Sequence, residues 1–186
     1  MKVWLALLLA GVSGAAGAST PPEERVYIIP TPVETTPDVE RYISFAAPHR
    51  CGTSAAFEAL LWAMLPTDGT QMIEPPVPDL PMSFAKVAPS LKLTRTEGGL
   101  RQATLEMNHK WHGLRLKQIA RWMGNNLDAE GFTLEFANSE ADVRAVLNRI
   151  GFALPDEGGK QLGQELPLYI RLIPLAGGRT ILSCGT

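Results

Sequence analysis

Cysteine and histidine are scarce: the 186 residues hold Cys51 and Cys184, and His49, His109 and His112. So few ligating side chains exclude a four-cysteine zinc site and a disulfide-dense scaffold. Neither sign of charge dominates. Seventeen Lys and Arg stand against nineteen Asp and Glu, for a net charge of −2 and a pI near 5.9. No global basic field would therefore draw the chain to nucleic acid or anionic lipid. No apolar run reaches the roughly 20 residues that a helix needs to cross a bilayer. The Asn-x-Ser/Thr glycosylation signal is missing. The glycine pairs Gly98-Gly99, Gly158-Gly159 and Gly177-Gly178 have the look of turns rather than of a phosphate-binding loop before a helix.

What is present begins at the N-terminus. Met1 and Lys2 lead into an apolar stretch over residues 3–12, and Ala16-Gly17-Ala18 ends it with the small residues of a secretory cleavage site. This pattern predicts export, to the periplasm or the extracellular space, with residues 1–18 removed and no transmembrane segment in the mature chain. In such a compartment two cysteines are expected to bond, so Cys51 and Cys184 are read as a disulfide. The competing reading is a reactive Cys51 thiol beside His49 and Arg50.

Residues 19–37 carry Pro21, Pro22, Pro30, Pro32 and Pro37 and read as a tether, with one apolar island at Val26-Tyr27-Ile28-Ile29 suited to an edge strand. Residues 38–186 read as a single domain. Within it, Ser54 is a candidate N-cap for an apolar helix over 55–65, stopped by Pro66 and Asp68-Gly69. The proline-rich stretch 75–81 excludes helix and central strand. Residues 91–96 and 100–108 flank Glu97-Gly98-Gly99 as a hairpin, with Ala103, Leu105 and Met107 on one face. Phe132, Leu134 and Phe136 alternate as a strand. Ser139 then opens an amphipathic helix that places Val143, Val146, Leu147 and Ile150 on one face, with Gly151 as its stop. Residues 168–173 and 180–184 close the chain as a hairpin. Residues 113–123 fit two periods. Leu116, Ile119, Ala120 and Met123 favour a helix, while the alternation of Leu114 and Leu116 with Arg115 and Lys117 suits a strand; the helix is preferred. The order of elements predicts an α+β fold, an antiparallel sheet with two or three helices packed on one face.

Chemistry-bearing residues concentrate in one stretch. His109, Lys110, Trp111, His112, Arg115 and Trp122 combine aromatic rings with positive charge, the side chains that dominate binding energy at interfaces, and form the candidate binding patch. No acid or cysteine completes a metal set around His109 and His112, so neither a metal nor a cofactor is expected. The function expected is a binding or accessory domain acting on a protein or glycan partner in the envelope, with no catalytic residue assigned. The alternative is a small hydrolase using Ser54 or Cys51 with His49, His109 or His112. In that alternative Cys51-Gly52-Thr53-Ser54 would open the helix, as a nucleophile does in papain-like enzymes, but the histidines fall at the wrong distance for that pattern.

Overall fold

The computed structural model describes residues 23–28, 39–65, 88, 90–95, 99–124, 129–163 and 167–186. The expected export signal, most of the tether, the stop at Pro66 and Asp68-Gly69, the 75–81 passage and Glu97-Gly98 lie outside these residues. Ten strands and three helices follow in the order β1 (Glu23–Ile28), α1 (Val39–Tyr42), β2 (Phe45–Ala47), β3 (Gly52–Thr53), α2 (Ala55–Met64), β4 (Ser90–Arg95), β5 (Arg101–Trp111), β6 (Leu114–Met123), β7 (Glu130–Phe136), α3 (Glu140–Arg149), β8 (Gly159–Leu162), β9 (Leu168–Leu175) and β10 (Arg179–Gly185). Eight strands form one sheet in the order β1-β4-β5-β6-β7-β10-β9-β8, and β2 and β3 form a small second ladder. Every pairing in the large sheet is antiparallel. The fold is α+β, as the element order predicts, and β1 takes the sheet edge expected of the 26–29 island.

The register explains the core. Leu91, Leu105, Ile119, Leu134, Leu182 and Leu172 lie directly opposite one another across six consecutive strands, and each is buried. A side-chain period of two along every strand then commits one face of the sheet to the interior. Three helices cover that face: α1 meets α2 and β5, α2 meets β3 and β5, and α3 meets β6, β9 and β10. Phe45 on β2 joins the layers, with ring centroids 5.6 Å from Phe57, 6.1 Å from Phe132, 6.3 Å from Trp111 and 4.8 Å from Phe152.

Both long helices start as the sequence indicates. Ser54 Oγ accepts from the Phe57 N–H at 3.2 Å, and Ser139 Oγ accepts from the Asp142 N–H at 3.2 Å, satisfying donors that the first helical turn leaves free. The end of α3 is a Schellman motif. Phe152 N–H donates to Leu147 O at 3.0 Å and Gly151 N–H to Asn148 O at 3.1 Å, with Gly151 at φ 102°, a conformation that favours a residue without Cβ. Val143 and Leu147 are fully buried, whereas Val146 and Ile150 pack at the margin of the core.

One expectation is overturned. Residues 113–123 are not helical: β6 runs from Leu114 to Met123 between β5 and β7. The helical spacing comes from a register shift between Leu116 and Gln118. A bulge there inserts one residue, so the inward positions fall at Leu114, Leu116, Ile119, Arg121 and Met123, and a three-residue step imitates a helical turn. His112 and Gly113 make the two-residue turn before it, with φ of 49° and 86°; positive φ at both central positions is the hairpin turn whose twist matches its strands.

Candidate functional site

The six residues of the sequence-derived patch do not share one surface. Trp111 is fully buried. Its indole N–H donates to the Ile43 carbonyl at 2.7 Å, and its ring stacks on Phe136 at 5.6 Å. It therefore offers no face to a ligand, and the expectation of an exposed ring fails for this residue. Lys110 and Arg115 are exposed and sit opposite each other in register. His109 is half-buried and pairs with Leu116. His112, in the turn, receives Glu40: its backbone N–H donates to Oε1 at 2.7 Å and its Nδ1 lies 3.7 Å from Oε2. Trp122 is seven residues from Arg115 along the same strand, about 23 Å at the usual rise. It lies on the outer face, away from the helices. A Cβ at Gly131 or at Gly185 would fall 2.4 Å from its ring, so the indole spans two neighbouring strands where neither has a side chain.

Residues proposed for catalysis are engaged structurally. Cys51 is bonded to Cys184, with the Cα atoms 6.1 Å apart, so it holds no thiolate. Ser54 Oγ, besides capping α2, accepts from Ser44 Oγ at 2.8 Å. His49 is exposed in the short turn over Pro48–Arg50. Among the described residues no group of three His, Cys, Asp or Glu is placed to hold a metal ion.

The disulfide leads to a different site. Cys51 lies between β2 and β3 in a left-handed conformation, φ 56°, and Cys184 projects inward from β10. In register, Cys184 is opposite Phe132 on β7, and Phe132 is opposite Arg121 on β6. Arg121 thus stands two strand spacings, about 9.6 Å, from Cys184 on the same inward face. A cleft of about 290 Å³ opens there. Cys51, Cys184, Phe132 and Leu168 give it apolar walls, α2 contributes Glu58, Leu61 and Trp62, and Arg50 and Glu130 lie at its edge.

Arg121 is the unusual member. It is only 5 % exposed, and its neighbours in the inward row, Ala103 and Phe132, are apolar. Its guanidinium lies 4.0 Å from the centroid of the Trp62 ring. The Glu130 carboxylate is 3.8 Å from Nη2, beyond hydrogen-bond distance. Among the described residues this ring and this carboxylate are its close polar contacts. Burial pushes its pKa below the ordinary value, while Glu130 and Glu58 act in the opposite direction; arginine remains a cation throughout the physiological range. Glu58 and Trp62 reach it together because they are four residues apart on α2 and share a face. That face points away from the buried Phe57, Leu60 and Met64, and Trp62 is 39 % exposed.

Neither Arg121 nor Trp62 belongs to the patch that the sequence indicates. The signal for Arg121 lies in Ile119-Ala120-Arg121-Trp122-Met123: read as a strand, it puts a charge between two inward apolar residues. For Trp62 the signal is its i, i+4 spacing from the one charged residue of an otherwise apolar helix. Comparison with known proteins finds no matching family model, no matching curated protein and no matching solved structure.

Proposed function

We propose that this protein is an exported binding domain, working in the periplasm or outside the cell, and that it takes its ligand in the cleft beside the Cys51–Cys184 disulfide. Export is supported by the N-terminal sequence pattern and by the formed disulfide, which persists in oxidising compartments. No described helix is long and apolar enough to cross a membrane.

The observation that carries the binding site is Arg121. Taking a guanidinium out of water costs several kcal/mol unless good partners replace the solvent, and here the Trp62 ring, the Glu130 carboxylate beyond hydrogen-bond distance and the field of Glu58 stand in for them. Such a group, unfavourable for folding and facing a concave apolar cleft with an exposed tryptophan at its rim, has the makings of a ligand site. A fragment screen by two-dimensional NMR on the exported protein tests this. Fragments that bind are expected to shift the Gly131, Gly185 and Thr53 amides and the Trp62 indole N–H. Hits that cluster elsewhere, or no hits, would overturn the assignment.

A further inference from the structure

We propose that the ligand is a small monocarboxylate with an apolar body, its carboxylate meeting Arg121 and its apolar part lying against Trp62, Leu61 and Phe132. This rests on the cleft being the binding site. Arginine presents its donors as a planar fork that matches the two oxygens of a carboxylate. At Arg121 the fork meets the Trp62 ring and a Glu130 carboxylate 3.8 Å away, beyond hydrogen-bond distance, so a ligand carboxylate would supply closer acceptors than these two do. The nearest anion can give way at little cost. Glu130 begins β7 with its side chain 59 % exposed, and water can solvate it once a ligand carboxylate takes its place.

The charges around the cleft narrow the class further. Among the lining side chains, Arg50 and Arg121 are matched in number by Glu58 and Glu130. A ligand with several negative charges would meet two carboxylates at close range, and a neutral one could offer an acceptor but no charge opposite the guanidinium. One negative charge suits the site. Thr53 and Thr186 add two hydroxyls and the remaining lining side chains are apolar, while the volume of about 290 Å³ lies just below the usual range for small-molecule sites.

A matched pair of probes decides the matter: N-acetylphenylalanine, and its primary amide, which keeps the shape and removes the charge. Citrate serves as the polyanion. Titrations are followed at the Gly131 and Gly185 amides and the Trp62 indole N–H. The acid is expected to bind at least tenfold more tightly than the amide or citrate. Arg121→Met should abolish the preference for acid over amide, and Arg121→Lys, which keeps the charge and loses the fork, should remove most of it. Should Arg121→Met fail to fold, the lysine variant and wild-type protein still decide. Equal affinity for acid and amide, a preference that survives substitution of Arg121, or tighter binding of citrate would overturn the carboxylate assignment. Equal affinity at the cleft would leave the binding site itself standing. No shift from any probe would also overturn the carboxylate assignment, and the fragment screen then reports separately whether the cleft binds at all.

Discussion

Arg121 lies 4.0 Å over the ring of Trp62, joining the middle of an eight-stranded sheet to the exposed face of the helix that covers it. The contact forms the rim of the cleft, and the strength of a cation–π pair grows as water is excluded from it. Trp62→Ala removes the ring from a partly exposed position. The expected result is a modest loss of stability, about 1 kcal/mol, read from denaturant midpoints, together with loss of the cleft shifts in the fragment screen.

The disulfide closes a loop with a sequence separation of 133 residues. On the chain-entropy model such a closure contributes about 5 kcal/mol. Free-thiol titration of the native protein should find none, and the double substitution Cys51→Ser with Cys184→Ser should lower the urea midpoint substantially. An unchanged midpoint would show that the unfolded chain gains little from being cut free.

Trp111 belongs to the core. Trp111→Ala should cost about 3–5 kcal/mol, as large-to-small changes at fully buried aromatic positions do, and should strand the Ile43 carbonyl that the indole now satisfies. Thermal melting checks this directly, and a shift of only a degree or two would mean that the indole is not packed as described.

Gly131→Ala is expected to destabilise by about 1–3 kcal/mol, the usual cost of overpacking. A Cβ there would fall 2.4 Å from both the Cys184 carbonyl oxygen and the Trp122 ring. The backbone clash persists when the ring is gone, so Trp122→Ala should rescue the glycine variant only in part. Full rescue in the double mutant would assign the whole constraint to the indole.

These effects show where the sequence was readable. Helix α3 was legible from Ser139 to Gly151 because its cap, its apolar stripe and its stop all agree. The strand Phe132-Leu134-Phe136 was legible because one of its faces is buried and alternation survives. Strand β6 was not. Its bulge at Leu116–Gln118 breaks the two-residue period, and the spacing left behind imitates a helix. The site went unread for the same reason, since Arg121 shows itself as an inward-facing charge only once β6 is a strand. The disulfide partners could be paired because there were only two, yet nothing in sequence placed them within two strands of an arginine. That proximity comes from β10 inserting between β7 and β9, a long-range pairing that local pattern does not encode.

If Arg121 serves a ligand and not the fold, denaturant unfolding of Arg121→Met in the absence of any ligand will show it. Methionine can fill the apolar pocket, and the carboxylate left behind belongs to Glu130, which is exposed and remains hydrated. Replacing a poorly compensated buried ion with an apolar side chain is often neutral or stabilising. The unfolding free energy of the variant should therefore equal or exceed that of the wild type. A loss of about 3 kcal/mol or more, the size expected when a structural buried ion pair is broken, would contradict the claim and make Arg121 part of what holds the sheet and α2 together.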